Sequence, residues 1–190
     1  MMERLEKLRE QLDLTRAQLG DDQAFMRLVE RYHNRLLLYV RRLGADETDA
    51  GDILQDVWVS AYRTLRRVYD AEAFPAWIYA VARHNALSAL RRRKRLPEPV
   101  GISDGELEDV ADQDETTDLT TDEAAAVHRC LTRISLPHRE VLLLRFFEGL
   151  SYEQMAAVLR CGVGTVRSRL HYAKRALRRA VESEGSHEQR

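Results

Sequence analysis

One stretch near the C-terminus carries side chains suited to reading DNA bases. Val166, Leu170 and Ala173 recur at helical spacing, so the other side of this predicted helix is left to polar and cationic groups. An α-helix fits the major groove, where arginine donates two hydrogen bonds to guanine and small polar groups meet other bases. The pattern favours DNA binding over a merely solvated basic helix. The predicted reading face comprises Gly164, Arg167, Ser168, His171, Tyr172 and Arg175, flanked by Arg169 and Lys174.

The residues before this helix predict the motif that presents it. Ser151 and Gln154 have the spacing of a capping box, in which each side chain bonds the other residue's backbone N–H. The helix that they begin runs to Leu159, and a short turn over 160–162 leads into the reader. Two helices joined by a turn of about three residues form a helix-turn-helix.

A second set of residues predicts a protein-docking face. Asp52, Gln55, Asp56, Val59 and Arg63 recur every three or four residues along a predicted helix over 47–68. We interpret the two carboxylates as partners for basic residues of another protein. The alternative is that acids near the start of a helix only complement its dipole.

A third set combines cations with aromatic rings. Residues 63–95 contain nine Lys and Arg residues against two acids, together with four aromatic rings. This mixture suits single-stranded or melted nucleic acid, because bases stack on rings while cations neutralise the backbone. The alternative is a core role, which is favoured for Phe74 and left open for Trp77. The predicted nucleic-acid contacts are Tyr69, Trp77, Tyr79, Arg83, Asn85, Arg91 and Arg92, with Arg83 expected opposite the apolar face.

The sequence offers no pattern expected of an enzyme. It has no carboxylate pair in a pocket-like context, no glycine-rich phosphate loop and no metal-ligand cluster, so neither cofactor nor metal is expected. Its two cysteines, Cys130 and Cys161, form no C-x-x-C pair. No stretch approaches the roughly 20 apolar residues of a membrane span, and the N-terminus lacks a signal-peptide core. We expect a cytoplasmic protein without membrane insertion.

The elements that position these sets are all predicted helices. Glycine and proline are sparse, at 9 and 4 residues, and no segment reads as a strand. The predicted fold is all-α, with two small helical domains. An amphipathic helix marked by Leu5, Leu8 and Leu12 precedes them. The expected division is an N-terminal helical extension over 1–20, a helical bundle over 21–96, a linker over 97–121, a helix-turn-helix domain over 122–183 and a polar tail over 184–190.

The distribution of charge supports this division. The net charge of −1 conceals eleven acidic residues between Glu98 and Glu123, a stretch without Lys or Arg. The rest of the chain carries 30 basic residues against 20 acidic ones. Cationic folded parts suit a polyanionic partner, and the self-repelling acidic segment predicts a flexible tether between them.

These motifs resemble, in order and spacing, the sigma-70 family of RNA polymerase sigma factors, in its extracytoplasmic-function group. The N-terminal half resembles region 2 and the C-terminal half region 4, and the likeness spans nearly the whole chain outside the linker and the first 20 or so residues. The segments that carry this resemblance are 24–32 (AFMRLVERY), 49–58 (DAGDILQDVW) and 74–85 (FPAWIYAVARHN), then 136–145 (LPHREVLLLR), 149–152 (GLSY) and 164–170 (GTVRSRL).

The resemblance implies a role for each set. The residues Asp52, Gln55, Asp56 and Arg63 would dock on the β′ clamp of core polymerase. The segment 67–73 and the helix after it would capture the −10 element and flip a non-template base into a pocket. Arg145 and the reader residues would face the −35 element. An anti-sigma factor is a further expected partner.

The turn departs from the family pattern, which usually has Gly where this chain has Arg160. A left-handed backbone there would cost arginine about 1 kcal/mol or more relative to glycine. The alternative is that Gly162 takes the place of the missing glycine and that the backbone of the turn has a different geometry. Tyr172 stands where the family often has a basic residue, so the promoter sequence that this chain prefers is not given by the resemblance.

Two other classes remain possible from the residues alone. A conventional helix-turn-helix repressor or activator accounts for the C-terminal half but not for the docking face or the cation-rich helix. An enzyme acting on nucleic acid would need catalytic groups that the sequence does not display.

Overall fold

The computed structural model describes residues 2–68, 70–92 and 130–188, and the regular structure in these ranges is helical. They belong to two compact helical units, as predicted for the fold class. The predicted linker over 97–121, the contact residue Tyr69 and the first residues of the predicted C-terminal domain lie outside the described residues.

The N-terminal unit contains four α-helices. They are α1 (Met2–Gln18), α2 (Asp22–Leu43), α3 (Glu47–Thr64) and α4 (Phe74–Arg92). Two 3-10 turns, Leu65–Arg67 and Ala71–Ala73, occupy the connection between α3 and α4.

Local chemistry sets the ends of these helices. Asp46 begins α3 by accepting a hydrogen bond from the backbone N–H of Asp49 at 2.8 Å. Gly44, just past the end of α2, has φ +120°, a backbone region that suits glycine. Pro75 lies in the first turn of α4, where its missing N–H leaves no helical bond unmade.

Aromatic rings of α2 and α4 form the centre of this unit. Tyr39 and Tyr79 meet edge to face at 5.2 Å, and Tyr32 meets Phe74 in the same way at 5.4 Å. Phe74 is 1% exposed, as favoured from the sequence, and Tyr79 is 0% exposed. The prediction that Tyr79 contacts DNA is therefore wrong, because its ring is a core group packed against Tyr39.

The first helix packs in an unexpected orientation. The amphipathic helix forms, but its marker residues Leu5, Leu8 and Leu12 are 51%, 54% and 58% exposed. Leu14 is the buried leucine of this helix, and two ion pairs join it to α2: Asp13 bonds Arg27 at 2.7 Å, and Glu10 bonds Arg31 at 3.1 Å.

The C-terminal unit contains three described α-helices after a helical segment at 130–132. They are α5 (Leu136–Leu142), which continues as a π-helical segment (Leu143–Phe147), then α6 (Tyr152–Leu159) and α7 (Val163–Glu188). The core includes Val141 from α5, Met155 and Val158 from α6, and Val166 and Leu170 from α7.

The capping box predicted at α6 is confirmed. The Ser151 hydroxyl accepts from the N–H of Gln154 at 3.2 Å, and the Ser151 N–H donates to the Gln154 side-chain oxygen at 2.9 Å. Among the helices described, none has the length and apolar character needed to cross a bilayer.

Candidate nucleic-acid and protein interfaces

The predicted docking residues lie together on the outer side of α3. Asp52, Gln55, Asp56 and Arg63 are all exposed. The apolar residues on the other side of the helix are buried: Ile53, Leu54, Val57 and Ala61. The helix-dipole alternative explains Asp46, which caps α3. It does not explain Asp52 and Asp56, because the dipole effect falls off beyond the first turn. We refer to Asp52, Gln55, Asp56 and Arg63 as the α3 face.

Exposed apolar side chains border the α3 face. Val59 is 42% exposed and Tyr62 is 57% exposed. The Tyr62 hydroxyl donates to Asp22 at 3.0 Å, and its ring meets Phe25 at 5.1 Å. Apolar area beside charged groups is the usual composition of a protein-binding patch.

A groove of about 270 Å³ separates α3 from the end of α4. Asp49, Asp52 and Asp56 line one side, and Arg92 lies on the other. Arg92 was predicted to contact −10 DNA, yet it shares this groove with the acids. The structure therefore groups Arg92 with the α3 face.

The remaining predicted −10 contacts lie on different sides of α4. Trp77 is half-buried and packs against Phe74 with ring centroids 5.7 Å apart. Asn85 is half-buried and donates to the Val81 carbonyl of its own helix at 2.9 Å. Arg91 is exposed.

Arg83 does not lie opposite the apolar face of α4 as predicted. It is half-buried, and its neighbours one turn away on either side, Tyr79 and Leu87, are both buried. The prediction failed because α4 buries a wide arc: Tyr79 packs on Tyr39 of α2, and the helix also packs against α3.

An exposed histidine joins Trp77 and Arg91 on the outer side of α4. Trp77, His84 and Arg91 follow at intervals of seven residues, which is close to two helical turns. His84 is exposed and was missed from the sequence. The interval of seven residues between Trp77, His84 and Arg91 was the signal that could have identified it. We refer to Trp77, His84 and Arg91 as the α4 face.

The predicted reading face is presented outward by α7. Gly164, Arg167, Tyr172 and Arg175 are exposed and Ser168 and His171 are half-buried, while Val166, Leu170 and Ala173 are buried. Arg169 and Lys174 are half-buried at its two edges. Burial, and secondarily the charge of Arg169, lowers the pKa of His138 on α5 below its ordinary value.

One tyrosine brings two of the predicted reading arginines together. The guanidinium carbons of Arg145 and Arg167 lie 5.1 and 5.9 Å from the centre of the Tyr152 ring, within cation–π range. Arg145 also donates to the Leu150 carbonyl at 3.1 Å. Tyr152 was missed as a site residue, although it is the first residue of the predicted α6.

Ring contacts hold other parts of the reading face as well. The Lys174 ammonium lies 5.5 Å from the centre of the Phe146 ring, and the His171 and Tyr172 rings meet edge to face at 5.4 Å. Glu153 stays ionised beside this set. Its own backbone N–H, and then the Ser151 hydroxyl, hold the pKa of Glu153 below its ordinary value. This surface is more ordered than a merely solvated basic helix requires.

The turn between α6 and α7 retains a left-handed residue in spite of the missing glycine. Arg160 has φ 55° and ψ 49° and ends α6, with its N–H bonded to the Ala156 carbonyl. It is the non-glycine residue with positive φ among those described. The alternative that Gly162 takes over this conformation is therefore wrong.

We expect Arg160→Gly to raise the free energy of unfolding of the C-terminal unit by about 0.5–1 kcal/mol, because glycine has no Cβ to strain at positive φ. Both tryptophans lie in α3 and α4, so their fluorescence does not report on this unit. Hydrogen exchange of the Val166 and Leu170 backbone amides measures the stability of the C-terminal unit directly. Arg160→Ala is the control, since alanine keeps the strain. Equal stabilisation by both variants would contradict the backbone explanation.

Comparison with known proteins gives two family matches along the chain. Residues 28–96 match the model of sigma-70 region 2, and residues 124–177 match that of sigma-70 region 4. The first covers most of α2, α3 and α4, and the second covers the helix-turn-helix.

Curated relatives match over nearly their full length. The RNA polymerase sigma-H factor of Pseudomonas aeruginosa (strain PAO1) is 35% identical over 176 residues, covering 88% of this chain and 91% of the relative. The ECF RNA polymerase sigma-E factor of Escherichia coli (strain K12) is 32% identical over 185 residues, covering 93% and 96%.

Two solved structures match the fold of this chain over most of its length. CnrH in complex with the cytosolic domain of CnrY matches with a TM-score of 0.68 at 26% identity, over 92% of this chain and 98% of that one. The sigma factor RpoE of Bartonella quintana, in complex with the anti-sigma factor NepR, matches with a TM-score of 0.64 at 25% identity, over 83% and 96%.

Proposed function

The chain belongs to the sigma-70 family of RNA polymerase sigma factors, and we propose that three of its surfaces divide the work of promoter recognition. As an alternative sigma factor of the extracytoplasmic-function group, it binds core polymerase and directs promoter recognition and melting. The proposal concerns which residues perform each step. We further propose that the protein acts in the cytoplasm, where polymerase and chromosome meet, and that it is not itself an enzyme, since polymerase performs the chemistry.

The α3 face is proposed to bind the β′ clamp of core polymerase. The carboxylates of Asp52 and Asp56 would pair with basic side chains of the clamp, and Gln55 would add a hydrogen bond. Exposed Val59 and Tyr62 would supply apolar area beside them. This division suits a docking site, because charges set the orientation and apolar burial supplies affinity.

The α4 face is proposed to hold the melted −10 strand. Trp77 offers a ring on which an unstacked base can lie, and Arg91 is placed to neutralise a phosphate. His84 lies between them and is exposed on the same side. Asn85 remains a proposed contact beside this face, and Tyr69 remains one from the sequence alone.

The reading face of α7 is proposed to enter the major groove at the −35 element. Arg145 and Arg167 would contact base edges, and the Tyr152 ring lies within cation–π range of both. Ser168, His171 and Tyr172 would make polar and methyl contacts, and the backbone at Gly164 would approach closely. Arg169, Lys174 and Arg175 would bind phosphates, which position the helix without reading sequence.

A single observation carries the proposal. One chain matches both region models, and the predicted docking and reading residues in those regions are largely exposed. A repressor would need the C-terminal match alone. The test is transcription in vitro with core polymerase on a randomised promoter library, which should yield templates sharing two elements. Repression of transcription, or no transcription from any template, would overturn the proposal.

An anti-sigma partner is proposed for this chain as well. Two solved relatives are described as complexes, one with the cytosolic domain of CnrY and one with the anti-sigma factor NepR. A protein covering the α3 face would block polymerase docking. Adding a partner captured from native lysate should lower transcription in the same assay. Recovery of none under stressed and unstressed growth alike would contradict this proposal.

A further inference from the structure

A side chain from α1 is bonded to the turn that leads toward α4. The Gln18 amide nitrogen donates to the Leu65 carbonyl at 3.1 Å and to the Val68 carbonyl at 2.6 Å. These two carbonyls lie at the start of the first 3-10 turn and just past its end. The donor comes from 47 and 50 residues earlier in the chain, so this is a tertiary contact and not a local helix cap.

The Gln18 contact answers a specific need of this turn. Carbonyl groups at the end of a helix lack partners within the helix, and a buried one left without a partner is costly. The Val68 N–H already bonds the Leu65 carbonyl at 3.1 Å, which closes the turn. Gln18 donates one hydrogen bond to the Leu65 carbonyl and one to the Val68 carbonyl. These two bonds hold the turn to α1.

A second route connects α1 with the start of α4. Glu10 accepts a hydrogen bond from the Tyr32 hydroxyl at 2.8 Å, and the Tyr32 ring packs edge to face on Phe74. Phe74 in turn packs on Trp77. The Glu10 carboxylate is thus linked to the α4 face through two ring contacts, and α1 also packs against both 3-10 turns.

The helix that makes these contacts is itself firmly placed. Leu14 is 2% exposed, and Asp13, a largely buried carboxylate, bonds Arg27 at 2.7 Å. Helix α1 lies before the residues that match the region 2 model, which begin at residue 28.

We propose that α1 braces the approach to α4, and that Gln18 is a positioning residue for capture of the −10 strand by the α4 face. This inference rests on the proposed function of that face. Gln18 touches no DNA. It holds the first 3-10 turn against α1. This turn leads toward the first turn of α4 and so affects how Trp77 is presented.

The test compares three substitutions of Gln18 that differ in hydrogen-bond donors, with Trp77→Ala as the reference for loss of the α4 face. Gln18→Leu removes the donor, Gln18→Glu keeps the shape but places an acceptor against two carbonyls, and Gln18→Lys restores a donor. Promoter opening is followed with a fluorescent adenine analogue in the non-template −10 strand, using the full chain bound to core polymerase. Core affinity and thermal unfolding of the N-terminal unit, read from tryptophan fluorescence, are measured in parallel.

We expect the Leu and Glu variants to open the promoter about tenfold more slowly, because each lost hydrogen bond is worth a factor of a few. The Lys variant should recover most of this rate, and core affinity should stay at the wild-type level for all three. Leu12→Ala, on the exposed side of α1, is the matched control and should match the wild type throughout.

Three outcomes overturn the inference, and they point to different faults. If Gln18→Leu opens like the wild type while Trp77→Ala is slow, the brace is wrong and the α4 face stands. If both variants open normally, the proposed function of the α4 face fails as well. If the Leu variant loses core affinity and opening together, and Lys restores neither, Gln18 serves only the stability of the unit.

Discussion

Replacing Asp52 and Asp56 together with arginine is expected to abolish binding to core polymerase while the N-terminal unit remains folded. Both carboxylates are exposed on α3, and the buried residues Ile53 and Val57 that hold the helix lie on its other side. Placing like charges opposite each other in a docked interface costs on the order of 2–4 kcal/mol a pair, so two reversals should lower affinity more than about a thousandfold.

Folding should be affected little by the same change. Exposed ion pairs contribute roughly 0–1 kcal/mol, so the loss of any attraction between these acids and Arg92 across the groove is small. Circular dichroism should therefore show wild-type helix content and a similar melting temperature.

Competition with labelled wild-type protein for core polymerase measures the effect. Asp52→Asn combined with Asp56→Asn should fall between the wild type and the arginine variant, because it removes the attraction without adding repulsion. Glu30→Arg, a single exposed reversal on α2, controls for a charge reversal outside the α3 face and should compete normally. If the double arginine variant competes as well as the wild type at physiological salt, the α3 face is not the docking site.

Arg167→Ala is expected to cost about 1–3 kcal/mol of promoter affinity and to relax preference at one position of the −35 element. Arg167 is exposed at the centre of the reading side, and its guanidinium is held over the Tyr152 ring. Arg167→Lys should not restore the preference, because lysine lacks the planar fork that makes two bonds to guanine.

Lys174→Ala is the matched comparison. It should weaken binding to all sequences alike and reduce the slope of log affinity against log salt by about 1, as expected for a phosphate contact. Binding to a set of single-base −35 variants at several salt concentrations separates the two effects. An Arg167→Ala protein with an unchanged −35 preference would assign Arg167 to the phosphate backbone instead.

Local pattern was sufficient to predict the elements of this protein. The helical periods of α3 and α7 and the Ser151–Gln154 capping box are found in the structure. Each depends on residues within a few positions of one another, so the sequence contains the whole cause. The exposure of the α3 face and of most reading residues follows from the same periods.

Burial by distant partners could not be predicted in this way. Tyr79 is a core residue because Tyr39 lies 40 positions earlier in the chain and meets its ring. Arg83 is half-buried because α4 packs on two neighbours and so buries more than one stripe. A single helix pattern gives the period of burial but not the width of the buried arc.

The role of α1 was decided by tertiary structure alone. Its marker leucines predicted the helix correctly, yet they are exposed, because Glu10 and Asp13 bind arginines of α2 and turn the helix the other way. The contacts of Gln18 with the turn after α3, and of Tyr152 with Arg145 and Arg167, likewise join elements whose proximity no local spacing encodes. The amino-acid sequence by itself determined the family, the helices, and the exposed sides of α3 and α7, since these depend on short-range chemistry. Only the packed structure decided which side chains hold those faces in place, since that depends on which helices become neighbours.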